Sequence, residues 1–334
     1  MRLSILDQSP IASNESAYDA LMGSVKLAQV GESLAYTRYW IAEHHDLPGL
    51  ACSAPEVMLG YIGAHTNRIR IGSGAVLLPH YSPFKVAEVF NMLATLFPGR
   101  IDIGIGRAQG GSAETANALT DNFLERVRNF PKLVRDLLHF IDDDFPVATE
   151  YSKFSASPIP ENPPVPWLLG TSKKSAVLAA ENGLPYTFGQ FMSDQDGAAI
   201  IKEYLDTFQP RKEGQTPQVI VTVSVICAET TEKAEEIALS SLIWSIQNDK
   251  GEGRRGVPSI EEAKQYPLSE KEKESLKEKR QNMIIGNPEE VVGELKQLKT
   301  KYQADEIMIN TITHSLEDRI HSYKLIAEEV LSKE

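Results

Sequence analysis

The stretch IRIGSGAVLLPHYSPFKVAEVFNMLATLFPGRIDIGIGR, residues 69–107, holds two short apolar, β-branched segments separated by a segment of helical period. Residues 69–77 and 101–106 read as strands, and 83–97 reads as a helix that stops at Pro98-Gly99. The same alternation extends in both directions. Further strands are predicted at 3–7, 38–42, 165–170, 184–189, 218–227 and 305–311. Helical patterns lie near 16–35, 54–66, 121–141, 172–182, 194–208, 230–247, 288–302 and 315–332. Strand-helix alternation implies a parallel sheet covered by helices. Eight such units in 334 residues predict one α/β domain over 1–334, a closed (β/α)8 TIM barrel. A doubly wound open sheet is the competing architecture.

Local signals support the boundaries. Asn287-Pro288-Glu289-Glu290 reads as an N-cap, a first-turn proline and acids at the positive helix end. Gly183 reads as a left-handed cap that releases the chain into Leu184-Pro185. Two segments break the rhythm. Residues 143–164, rich in Pro, Ser and Asp, read as a surface excursion. Residues 248–285 form a longer, highly charged insertion containing Gly251, Gly253 and Gly256, of a length that is usually functional or mobile.

Composition excludes several classes. Hydrophobic residues at 42% and charged residues at 24% are ordinary for a globular protein with a sizeable core. No apolar run approaches the roughly 20 residues that cross a bilayer. The start, Leu3-Ser4-Ile5-Leu6 before Asp7 and Pro10, lacks the features of a secretory signal, so a cytoplasmic location is expected. Cys52 and Cys227 are far apart, which predicts neither a disulfide framework nor a zinc site. A net charge of −12 argues against non-specific nucleic-acid binding.

Barrel active sites form at the C-terminal ends of the strands, and four such ends carry suggestive groups. In Trp40-Ile41-Ala42-Glu43-His44-His45, neighbouring side chains on an extended chain point to opposite faces. The two histidines therefore do not share a metal, and no catalytic metal set emerges. One can face the barrel mouth as a general base or donor; a histidine satisfied by Glu43 is the alternative. In Gly72–Pro79, small residues around Gly74 and Ala75 allow either a flat ring to approach or tight internal packing. In Gly99–Arg107, Arg107 can make a bidentate phosphate contact or a structural salt bridge. In Leu168–Ser175, Thr171, Ser172 and Ser175 lie at a helix start, where free backbone N–H groups and hydroxyls make a phosphate cradle or an ordinary N-cap. The four ends together suggest a ligand with a flat ring and a phosphate tail. Neither a nucleophile elbow nor a Walker A sequence is present.

The sequence resembles the bacterial luciferase-like monooxygenases, closest to their luciferase-family oxidoreductase branch. The residues that carry the likeness are Trp40–His45, Gly72–Pro79 with Ser82-Pro83 and Glu88, Pro98–Arg107, Trp167–Ser175 with Gly183-Leu184-Pro185, and Asp305–Met308. They occur in the expected order over essentially the whole chain.

The resemblance implies a barrel that binds reduced FMN at its mouth and uses O2 on a small organic substrate, the flavin being reduced by a separate NAD(P)H-dependent reductase. It implies that His44 is the catalytic histidine beside the flavin and that Gly74-Ala75 is a non-proline cis peptide under the ring. Arg107, Ser172 and Ser175 fall where the family holds the phosphate, and 248–285 corresponds to a mobile lid over the active site. A homodimer is implied as well. The helix at 54–66, with Val57, Met58, Leu59, Tyr61 and Ile62 around its circumference, suits either an interface or a core. Luciferases place a reactive cysteine where this chain has Gly106, so light emission and long-chain aldehyde oxidation are not carried over. The runners-up are an F420-dependent hydride-transfer enzyme of a related barrel and a flavin-binding protein without turnover.

Overall fold

Short strands rich in Ile, Val and Leu alternate with helices in the computed structural model of the chain, which describes residues 1–47 and 49–332. The first half runs β1 (Arg2–Asp7), α1 (Ala17–Ser33), β2 (Arg38–Ile41), α2 (Pro55–Ala64), β3 (Arg70–Leu77), α3 (Pro83–Leu96) and β4 (Ile101–Gly106). Three helices follow, α4 (Ala113–Leu119), α5 (Phe123–Arg128) and α6 (Phe130–Asp142). Next come β5 (Val165–Gly170), α7 (Lys173–Glu181), β6 (Tyr186–Gly189), α8 (Gly197–Thr207), β7 (Val219–Cys227) and α9 (Thr231–Asp249). The chain ends with α10 (Ile260–Gln265), α11 (Glu270–Gln281), β8 (Met283–Gly286), α12 (Pro288–Lys301), β9 (Glu306–Asn310) and α13 (Leu316–Ser332).

The strands pair in parallel in the order β6-β5-β4-β3-β2-β1-β9-β7, and β6 also pairs with β7. That last ladder closes an eight-stranded barrel, as the alternation predicted, and excludes the open sheet. Among the described residues, no helix is long and apolar enough to cross a membrane.

Helices α4, α10 and α11 were not expected, and the structure departs from expectation in two further places. The strand β8 begins inside what reads as the insertion and runs one residue past it, and pairs Met283–Gly286 with Ser224–Cys227 of β7 outside the closed ring. Four residues between a charged helix and a capped one are too short for a period to register. The helix expected at 121–141 is broken into α5 and α6 at Asn129. Pro131, which has no N–H to donate, belongs in the first turn of a new helix.

Elsewhere the local signals hold. Asn287 caps α12 in a reciprocal box with Glu290, and Gly183 takes φ +58° after α7. Residues 143–164 carry one short 3-10 turn at Glu150–Lys153, held to α3 and α6 by an aromatic group in which Phe84 meets Phe140 and Phe154 at 5.2 Å each. On α2, Leu59 and Ile62 are fully buried, whereas Val57 is 67% and Tyr61 45% exposed. Beside them on α3, Met92 and Leu96 are exposed too.

The barrel interior is layered. At its N-terminal end Arg38 donates to Asp102 Oδ2 and Glu306 Oε1 at 2.8 Å each, and Trp40 Nε1 donates to Asp102 at 3.0 Å. Arg70 donates to the other Asp102 oxygen, and the Ser4 hydroxyl to Glu306. Arg38 also lies 4.6 Å from the centre of the Trp167 ring. Above this ion-paired floor, Trp40, Trp167, Ile220, Met308 and Leu6 form an apolar layer. The buried charges are tolerable because each is paired and hydrogen-bonded.

Candidate active site

A cavity of about 930 Å³ opens above that layer, at the C-terminal ends of the strands. Its size suits a drug-sized ligand, since such sites run roughly 300–1,000 Å³. Every expected site residue lines it: His44, Gly74, Ala75, Arg107, Thr171, Ser172 and Ser175.

The end of β2 separates the two histidines as the extended backbone requires. Glu43 is buried, accepts from the Leu77 N–H at 3.0 Å and the Tyr81 hydroxyl at 2.7 Å, and lies 2.7 Å from His45 Nε2. The structurally satisfied histidine is thus His45. His44 faces the cavity, and its Nδ1 is buried with no hydrogen-bond partner. Loss of water around the ring pulls the His44 pKa down to about 4, with Glu43 opposing and His45 reinforcing the shift. The ring is neutral near pH 7.

The peptide between Gly74 and Ala75 is cis. Gly106 on β4 faces this bed, and a Cβ added to it would meet the Ala75 Cβ at 2.9 Å. Any side chain at position 106 would push into the same surface, so glycine here lets the two strands approach.

Arg107 follows Gly106 and is exposed; among the described residues it has no ion-pair or hydrogen-bond partner, so the structural salt bridge is not formed. Across the mouth, Ser172 caps α7 in a box with Ser175. The Ser175 hydroxyl also lies 3.0 Å from the Tyr186 hydroxyl. The N-cap does not use up this helix start, because further hydroxyl capacity and first-turn N–H groups remain.

Sequence reasoning missed Lys174, Arg128, Gln8 and Thr187, all of which line the cavity. Lys174 was discoverable from its place in the first turn of α7. Arg128 was hidden by the unseen break before Phe130, which sets the direction of α5. Thr187 is 2% exposed and its Oγ1 has no partner. Nothing in the sequence distinguishes its orphaned hydroxyl from a bonded one. Among the described residues Glu43, tied up by three groups, is the one carboxylate lining the cavity, so no lining carboxylate is left to offset the charge of Arg107, Arg128 and Lys174.

None of the described residues of 248–285 lines the cavity. That segment folds as a 3-10 turn at Gly253–Arg255, then α10, α11 and β8, and both helices pack on α9. Among the described residues, no cluster of His, Cys, Asp or Glu could hold a metal ion.

The model of the family described as luciferase-like monooxygenase matches residues 1–304. The chain belongs to this family. It is 43% identical to the uncharacterized protein YceB of Bacillus subtilis (strain 168), over 98% of this chain and 99% of that one. It is 38% identical to an N-acetyl-S-alkylcysteine monooxygenase of the same organism, over 99% of each. The crystal structure of apo-MsnO8 superposes with a TM-score of 0.90 at 32% identity, covering 99% of this chain and 98% of that one. As a luciferase-like monooxygenase family member, the protein is an oxidoreductase enzyme.

Proposed function

We propose that the protein is an FMN-dependent monooxygenase that takes reduced flavin from a separate NAD(P)H-dependent reductase and oxidises a small organic substrate with O2. The observation that carries this reading is one cavity holding an uncompensated cationic rim, a capped helix N-terminus, a small-residue bed and a neutral, unpartnered histidine.

The residues fit such a cofactor. Arg107, Arg128 and Lys174, with the N-terminus of α7 and the hydroxyls of Thr171, Ser172 and Ser175, would hold the phosphate. Gly74, Ala75 and Gly106 would support the ring. Bound reduced flavin supplies the electrons and the reaction with O2. His44, lining the same cavity, would hold or accept a proton at a ring nitrogen, and its low pKa keeps it neutral for that task. Leu6, Leu169, Phe191 and Met192 line the cavity with apolar surface that excludes water.

A dimer through α2 and α3 would cover Val57, Tyr61, Met92 and Leu96. Both cysteines are free and buried, in keeping with a cytoplasmic enzyme. The test is reconstitution with FMN and, in a parallel arm, with the deazaflavin F420, followed by oxygen uptake with a flavin reductase and a panel that includes S-alkylcysteine derivatives. Oxygen incorporation into a substrate with FMN supports the reading. Turnover with F420 alone, or flavin binding without turnover on any substrate, overturns it.

A further inference from the structure

The segment that enters the charged insertion is joined to the catalytic loop by an unbroken series of backbone contacts. Val257 N–H donates to Ile11 O at 2.8 Å, and Ser13 N–H donates back to Val257 O at 2.8 Å. Ile11 N–H in turn donates to Gly49 O at 2.8 Å, and Ala51 N–H to Ser9 O at 3.0 Å, with Pro10 and Leu50 in an antiparallel bridge. The next residue, Cys52, accepts from the backbone N–H of His44 at 3.0 Å. Three pieces of chain far apart in sequence therefore form a small ladder behind the β1 and β2 ends, and its inner edge is His44 itself.

Two features fix the outer edge. Gly256 has φ +81°, and a Cβ there would lie 2.3 Å from Ile11 O, the acceptor of the first rung. Only glycine allows both the backbone angle and the approach. On the other side, Trp244 of α9 packs on Gly49 so closely that an added Cβ would meet its Cζ2 and Nε1 at 2.9 Å. The ladder is thus braced by the helix that precedes the insertion and by the turn that opens it.

We propose that Gly256 and Val257 are positioning residues for His44: the insertion sets the place of the catalytic imidazole from behind, through this ladder. The proposal rests on the reading of His44 as the group that works beside the flavin. It gives the insertion a role that needs no contact with the cavity.

The test compares the full-length protein with Gly256→Ala by amide hydrogen exchange and, in the FMN-loaded state, by kcat and FMN affinity. Loss of one or two backbone bonds should raise exchange at Ile11 and His44 together by about five- to tenfold. Exchange at Ile103 in β4 should stay unchanged. The rate kcat should fall while the Kd for FMN stays within about twofold, because the phosphate and ring supports are untouched. If Gly256→Ala does not fold, Trp244→Phe withdraws the ring from Gly49 and is read in the same way. Faster exchange at Ile11 with no change at His44 would overturn the proposal, as would equal losses in kcat and FMN affinity. A wild-type protein that binds no flavin would refute the proposed function instead, and the exchange comparison would still stand.

Discussion

Replacing Arg107 with Ala should reduce affinity for FMN while leaving affinity for riboflavin, which lacks the phosphate, unchanged. Arg107 is exposed and at the cavity rim; among the described residues it is unpaired, and the single lining carboxylate, Glu43, is already engaged by Leu77, Tyr81 and His45. Its charge is therefore available to an incoming phosphate. A hydrogen bond to a charged group contributes about 1.5–3 kcal/mol. Solvent and salt screen an exposed guanidinium, which places the effect at the lower end. About 1.4 kcal/mol corresponds to about tenfold in Kd. Fluorescence titration of both flavins, at low and high salt, reads the effect directly. The wild type should prefer FMN and lose that preference as salt rises; Arg107→Ala should show a weaker preference and a shallower salt dependence. The reasoning fails if the substitution weakens riboflavin as much as FMN, or if FMN binding does not change.

Other perturbations probe different parts of the molecule. His44→Ala should slow substrate oxidation far more than it weakens FMN binding, and equal losses would contradict its role. Because the folded protein holds the His44 pKa near 4 against an ordinary 6.5, only the unfolded chain takes up this proton between those values. Stability should therefore be full above about pH 6.5 and fall as pH drops toward 4. Thermal melts of His44→Gln should lack that increment, and parallel curves for the two proteins would refute it. Asp102→Leu leaves Arg38 with half its partners in a buried floor and should cost about 3–5 kcal/mol in denaturant unfolding. Converting Arg38, Asp102 and Glu306 together to apolar residues should cost less than additivity predicts, and strict additivity would disprove the coupling. Met92→Glu with Leu96→Glu should yield monomers in sedimentation if α2 and α3 form the dimer face; an unchanged sedimentation coefficient removes that face from consideration.

The barrel was readable because each β/α unit carries its own periodicity, so eight weak signals add. The strand Met283–Gly286 was not, since it is four residues long and follows twelve charge-rich residues of α11. At the site, the sequence indicated which of two adjacent histidines could serve the mouth only in principle: alternation says that they diverge, not which way. The three donors converging on Glu43 decide it; besides neighbouring His45 they come from β3 and the turn after it, contacts no local pattern reveals. Arg128 shows the same limit. A helix boundary misplaced by one proline rotates every side chain beyond it, and with it the number of cations at the rim.

The ion-paired floor has a consequence for traffic. Arg38, Asp102, Glu306 and the two tryptophans above them close the far end of the barrel, so nothing enters from that side. For traffic through the mouth, what lies deepest arrives first and departs last. A ring seated against Gly74 and Ala75 would have to be in place before a second molecule descends onto it, and the oxidised product would have to leave before the spent cofactor could be exchanged.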